Sequence, residues 1–305
     1  MTKARNIHHG YVHHIYENTV DGKLIFYSIS DYLVFFTLFC VTGLRYDIIP
    51  LSLCLMPDHF HSGMKENKKG AIAGMLRDVM SQFTREQNRR CGISGPLFRP
   101  HYGCAFKRRD KDVRSLIIYI DNNPVERHLC EKAEQYRWSF LAYAGNSHPF
   151  SDPFIIRNQS FAFRQAYYFV KRRHAGGNAL TYQELQALAA KLTKLEKEQL
   201  TDHIISTYSI IRHEEANRYF DSYQDRITAD HSVSAREYDL NEVFVGKSDV
   251  YYAQMISIIL RERGISDIHE ILSYGEAEKK ELFLFLSKKT RAPGSQIAKL
   301  LRIPF

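Results

Sequence analysis

Ile48-Ile49-Pro50-Leu51-Ser52-Leu53-Cys54-Leu55-Met56-Pro57-Asp58-His59-Phe60-His61-Ser62-Gly63-Met64 is the stretch on which the fold turns. Residues 48–56 form a short apolar run bounded by prolines, the pattern of a buried strand. Pro57-Asp58 makes a turn, and residues 59–64 continue as a second strand. Side chains two apart on a strand share a face. His59 and His61 therefore project together, while Phe60 points into the opposite layer. Two imidazoles on one face of a rigid element are a preformed pair of metal ligands.

Working outward, residues 11–16 and 24–28 are β-rich and flank the turn-like stretch 18–22, which predicts a hairpin or two adjacent strands. Asp31 caps an apolar segment, 32–44, of helical length. Residues 71–89 carry Ile72, Met75, Leu76, Val79, Met80 and Phe83 at helical spacing. Residues 92–100 read as loop and 101–108 as a strand. Asp110 opens a helix with Val113, Leu116, Ile117 and Ile120 on its apolar side. Asn122-Asn123-Pro124 is expected to end that helix, because the residue before proline is pushed out of the α region. Strand pairs alternating with helices predict an α+β fold, a mainly antiparallel sheet with helices packed on it. Residues 146–153 are a polar, proline-containing joint. They divide the chain into a first domain, 1–150, and a mostly helical second region, 151–305.

Charge is uneven between those parts. Of 42 Lys and Arg and 34 Asp and Glu, residues 1–150 hold 20 and 14, a net of +6, and residues 151–305 hold 22 and 20, a net of +2. An acidic partner is therefore expected at the first half. Five cysteines, an odd number with no Cys-x-x-Cys pair, argue against a disulfide framework or a zinc ribbon and fit a reducing cytoplasm. Residues 1–11 have no signal-type apolar core. The longest apolar run, 32–42, is too short to span a bilayer. No membrane partner is expected.

A second motif is Leu116-Ile117-Ile118-Tyr119-Ile120-Asp121-Asn122-Asn123-Pro124-Val125. Tyr119 and Asn123 are four apart and share a helix face if the helix reaches its last turn. A tyrosine in an apolar helix also reads simply as core packing with its hydroxyl satisfied. Together with Leu55-Met56-Pro57-Asp58-His59-Phe60-His61, Gly95-Pro96-Leu97-Phe98-Arg99, Tyr136-Arg137-Trp138-Ser139-Phe140 and Tyr143, this motif resembles the HUH tyrosine transposases, of the REP-associated and small insertion-sequence types. The resemblance spans about residues 7–145. Three departures mark it: Asp58 where Asn is common, Phe60 between the histidines, and Ser62-Gly63-Met64 in place of a more aliphatic continuation.

The resemblance implies a ferredoxin-like or RRM-like core with the histidine pair on a central strand. It implies Tyr119 as nucleophile, His59, His61 and Asn123 as ligands of Mg²⁺ or Mn²⁺, and single-stranded DNA with hairpin-forming ends or repeats as partner. The implied activity is transposase-type cleavage and strand transfer through a 5′-phosphotyrosine. A non-catalytic, sequence-specific DNA-binding regulator derived from such an enzyme is the alternative, and a replication initiator or relaxase a third reading. Monomer and homodimer both stay open. Lys107, Arg108, Arg109, Arg114 and Arg99 are candidate phosphate contacts, as are Arg85, Arg89 and Arg90. His8, His9, His13 and His14 are expected to face solvent or DNA. Residues 276–305 resemble the opening of a helix-turn-helix or, equally, the last helices of a different bundle.

Overall fold

In the computed structural model, which describes residues 10–232 and 249–304, four strands form one sheet in the order β2-β3-β1-β4. The strands are β1 (Val12–Asn18), β2 (Ile48–Met56), β3 (His59–Glu66) and β4 (Gly103–Lys107). All neighbours are antiparallel. The Pro57-Asp58 turn closes the β2–β3 hairpin with Met56 opposite His59 and Cys54 opposite His61. Helix α1 (Ile29–Arg45) links β1 to β2, and α2 (Ala71–Cys91) links β3 to β4. This βαββαβ succession with β3 and β1 central is the ferredoxin-like arrangement, so the fold is α+β, as the motifs predicted.

One sheet face buries Ile15, Leu53, Leu55, Phe60 and Met64 against α1 and α2. The other buries Val12, Leu51, Cys54 and Met56 under α3 (Asp110–Glu126). The period-two alternation of β3 thus sends Phe60 to the α1/α2 layer and the histidines towards α3. The chain continues through α4 (Phe161–Ala175), α5 (Tyr182–Ala189), α6 (Lys194–Tyr208), α7 (His213–Asn217) and α8 (Tyr223–Ser232), then α9 (Tyr251–Arg263), α10 (Glu276–Lys289) and α11 (Gly294–Leu301). Among the described residues no helix is long and apolar enough to cross a membrane.

The core crosses the joint at 146–153 without a break. Phe163, Val170, Leu180, Leu185, Ile204 and Ile205 belong to the same cluster as Phe35, Phe36 and Phe39 of α1. Helices α9 to α11 form a second cluster around Met255, Leu282 and Ile297, which also takes in Leu24, Tyr27 and Cys91 of the first half.

Two expectations for local structure are corrected. Residues 24–28 are not a strand: both edges of β1 are taken, by β3 and β4. Their amides go elsewhere, Ile25 and Phe26 N–H to the Pro57 carbonyl at 3.0 and 3.2 Å, and Leu24 N–H to the Lys299 carbonyl at 3.4 Å. The apolar composition that mimics a strand belongs to an extended strap packed on both sides. Nor does Pro124 stop α3, which runs on to Glu126. In the last turn a proline deprives only the Ile120 carbonyl of its donor. The chain turns out of the helix at His128, which has φ 58°. There His128 N–H bonds the Val125 carbonyl at 2.9 Å and Leu129 N–H the Pro124 carbonyl at 2.9 Å. That bond pair is a Schellman ending.

Candidate active site

β3 places His59 between Asn18 of β1 and Met56 of β2, and His61 between Tyr16 and Cys54. The two rings stand perpendicular, at 89°, with centroids 5.0 Å apart. Helix α3, lying across this face, brings the Tyr119 ring edge-on to His61 at 5.5 Å and to His14 at 5.5 Å. All four side chains are buried. Three residues chosen from sequence, His59, His61 and Tyr119, therefore meet in one place.

Each histidine has an outer partner on Nδ1. His59 Nδ1 lies 2.6 Å from Asp58 Oδ1. His61 Nδ1 lies 3.1 Å from His14 Nε2. An imidazole that donates its Nδ1–H carries its lone pair on Nε2. In that tautomer both rings have Nε2 available to a cation, and the Asp58–His59 contact is the carboxylate–histidine arrangement that orients metal ligands elsewhere. Burial, with the nearby His59, His14 and Arg127 charges, holds His61 well below the ordinary histidine range. Burial and then Lys107 lower His14 to about 3. Both imidazoles are neutral at neutral pH, the state a metal ligand needs. Burial alone would raise the Asp58 carboxyl, but His59 and then Lys299 hold it far below the usual carboxylate range. Lys299 Nζ sits 2.8 Å from Asp58 Oδ2.

Asn123 lies one turn beyond Tyr119, buried, and its Nδ2 donates to the Tyr119 carbonyl at 3.0 Å. That leaves the carboxamide oxygen as the group with ligand character. Among the described residues no three His, Cys, Asp or Glu side chains gather into a metal-holding group; the set at issue is two imidazoles and one carboxamide. The neighbouring motif residues face α8. Asp121 forms a fully buried pair with Arg226 at 2.6 Å, and Asn122 Nδ2 donates to the Asp230 carbonyl at 2.7 Å.

The basic candidates scatter. Lys107 ends β4 close enough to His14 to act on its charge. Arg108 lies over the Phe106 ring at 5.1 Å. Arg109 caps α3 and pairs with Asp112 at 2.9 Å. Arg114 is drawn into packing, 3.0 Å from Asp225 and over the Phe220 ring. Arg99 bonds the carbonyls of Asn18 and Thr19 and lines a groove along α2 with Arg77 and Arg85. Arg89 pairs with Glu86, and Arg90 is committed to Asp267 at 2.8 Å.

His13 and His14 are buried, not solvent-facing; His8 and His9 lie outside the described residues. His14 was missed as a site residue, although strand alternation puts Val12, His14 and Tyr16 on one face of β1. Lys299 carries no signal, being 241 residues from Asp58. Asp249 is a further buried carboxyl near the pair, raised to about 6 by burial and then by Asp58. A cleft of about 1000 Å³ opens beside the site between the strap and α9, lined by Tyr32, Pro57, Tyr136, Trp138, Asp249 and Tyr252 among others.

No family model and no curated protein matches the chain. Among solved structures, the chain is similar to a REP-associated tyrosine transposase bound to a REP hairpin. The identity is 16%, the match covers 48% of this chain and 85% of that one, and the TM-score is 0.42.

Proposed function

We propose that this chain is a divalent-metal-dependent nuclease and strand transferase for single-stranded DNA, of the tyrosine-transposase type. Tyr119 is the nucleophile, and His59, His61 and Asn123 hold Mg²⁺ or Mn²⁺. The observation that carries the reading is the convergence of one phenol with two imidazoles, the Nδ1 of each met by a neighbouring side chain. When bound, such an ion polarises the scissile phosphate and stabilises a phenolate otherwise scarce at neutral pH.

Tyr119 Oη attacks phosphorus, the P–O3′ bond breaks, the phenol loses its proton and the departing O3′ gains one. The product is a 5′-phosphotyrosine and a free 3′-hydroxyl. The bond energy is conserved in the ester, so a second 3′-hydroxyl can reverse the step and join strands. His14 packs against both His61 and Tyr119 and keeps the nucleophile's ring beside the ligand pair. Lys107 and Arg99 are the candidates for phosphate contact.

The test is a denaturing gel after incubation with labelled single-stranded hairpins and Mn²⁺. Wild type gives a protein–DNA adduct; Tyr119→Phe gives none while still binding the DNA; His59→Ala/His61→Ala gives neither adduct nor cleavage. An adduct with Phe at 119 names another nucleophile. Binding without any adduct or cleavage in wild type leaves the DNA-binding regulator as the function.

A further inference from the structure

We propose that Lys299 is a positioning residue of the ligand pair. Its ammonium fixes the Asp58 carboxylate, which fixes His59 in the tautomer that presents Nε2, so that helix α11 completes the site. The inference rests on His59 acting as a ligand.

Both oxygens of Asp58 are engaged, one by each partner. Oδ1 meets His59 Nδ1 at 2.6 Å and Oδ2 meets Lys299 Nζ at 2.8 Å. Asp58 occupies the tight turn between β2 and β3, its side chain 9% exposed. Surface ion pairs contribute little, because water solvates both members. Here the carboxylate is withdrawn from water, so losing one partner leaves an unmatched buried oxygen. Such an oxygen is recovered only by turning the carboxylate, and the turn withdraws Oδ1 from His59. With that contact gone, no other bond to Nδ1 among the described residues selects the tautomer.

Three further observations show that the path of Lys299 is built. The stem passes over Gly22, where an added Cβ would stand 3.1 Å from both Cε and Nζ. The backbone at the lysine and at the residue after it is held by the strap. The Lys299 carbonyl accepts from Leu24 N–H at 3.4 Å, and the Leu300 carbonyl from Tyr27 Oη at 2.9 Å. Arg302 then donates to the Leu24 carbonyl at 2.9 Å and to Gln87 Oε1 at 2.7 Å. The end of helix α11 is locked to the strap at the lysine and just beyond it, and the strap is bonded to Pro57, the residue before Asp58.

The experiment uses the full-length, metal-free protein with ¹⁵N-labelled histidine. Long-range ¹⁵N–¹H correlations report which ring nitrogen of His59 is protonated, and titration with Mn²⁺ alone, followed by electron paramagnetic resonance, gives affinity. Wild type and Lys299→Arg should hold His59 as the Nδ1–H form. Lys299→Met should mix the tautomers and weaken Mn²⁺ binding by about tenfold or more, the range seen for lost outer partners. Tyr27→Phe removes one docking bond of α11 without touching the chain of contacts, and should leave His59 as in wild type. Lys299→Gln substitutes for Lys299→Met if the latter does not fold. Unchanged tautomer and affinity without the ammonium overturns the proposal; so does a shift in Tyr27→Phe equal to that in Lys299→Met, which would make docking alone the cause. If wild type binds no Mn²⁺, the metal reading fails while the tautomer comparison still decides the role of Lys299.

Discussion

His59 and His61 sit two residues apart, yet their outer partners differ in kind. His59 leans on a charged carboxylate and His61 on a neutral imidazole. A carboxylate raises the basicity of its histidine and an imidazole does so less, so His59 should be the stronger ligand of the two. Gly22 bears on that difference. It has φ +63°, and a Cβ there would stand 3.1 Å from Cε and Nζ of Lys299, close enough to push the ammonium aside. Gly92 has φ +62° with no atom within 4 Å of a built Cβ. Both Gly→Ala changes carry the left-handed backbone penalty of about 1 kcal/mol, but only Gly22→Ala should displace the ammonium. Urea unfolding should therefore show Gly92→Ala about 1 kcal/mol below wild type, with Mn²⁺ affinity unchanged. Gly22→Ala should lose at least as much stability and some affinity too. Equal affinities in the two variants would free Gly22 of any part in the site. At this scale the histidines and Tyr119 were legible because motif spacing and side-chain period place them. His14 required the β1–β3 register, which no single strand reveals. Lys299 required the tertiary fold.

The helices whose apolar period is clean, α2 above all, fall where their sequence puts them, because periodicity and burial agree. The strap and the end of α3 do not, because composition cannot tell a strand from an extended segment packed on both faces, nor a proline that ends a helix from one in its last turn. Helix α1 shows a third kind of hidden information. It begins with a capping box, Asp31 Oδ2 accepting from Ser28 N–H at 2.8 Å. The other oxygen of the same carboxylate accepts from Tyr182 Oη at 2.7 Å and meets His269 Nε2 at 2.9 Å. His269 Nδ1 in turn meets Asp267 at 2.6 Å. The cap of a helix in the first half is thus the anchor for the segment before α10. Burial opposes the imidazolium, but Asp31 and then Asp267 raise His269 to about 9. A raised histidine stabilises fully below its unfolded value, about 6.5, and the gain is lost as pH rises to about 9. The shift corresponds to something on the order of 3 kcal/mol. The partner carboxyls, Asp31 lowered and Asp267 lowered to about 2, keep their full contribution above about 4 and lose it as pH falls below that. Asp230, raised to about 9 by burial and then Asp121, adds its own decline as pH rises from about 4 to about 9. The test is therefore a difference. Wild-type thermal midpoints should fall between pH 6.5 and 9 more steeply than those of His269→Gln, and parallel curves would show that the imidazolium is not formed.

For the whole molecule, the question is whether the sheet and its motifs fold without the second half. Residues 33–43 of α1 are buried without interruption. A helix apolar on every side cannot be a surface helix; one side lies on the sheet and the other must be covered. The cover is the region 179–211. Leu180 N–H donates to Thr37 Oγ1 at 3.1 Å, and Ile210 lies where a Cβ on Gly43 would stand, 2.5 Å away. Phe36 packs inward on Phe140 at 4.4 Å, so the outward side is left to residues such as Leu38 and Val41. The unbroken apolar run at 32–42 was in view in the sequence, and its meaning, a helix sandwiched between two layers, argues against a boundary near residue 150. Uncovering three or four large apolar side chains forfeits on the order of 5–10 kcal/mol, as much as the net stability of most domains. The strap loses its cover as well, since Leu24 and Tyr27 belong to the cluster of α9 to α11. A chain ending at Ser151 should therefore be insoluble or bind a dye for exposed apolar surface, with no cooperative thermal transition. Because Lys299 is gone, any folded fraction should hold His59 in mixed tautomers. A monomeric 1–151 fragment that unfolds cooperatively and shows wild-type Mn²⁺ affinity would make the first half self-sufficient. It would also reduce the α11 contact to a tether.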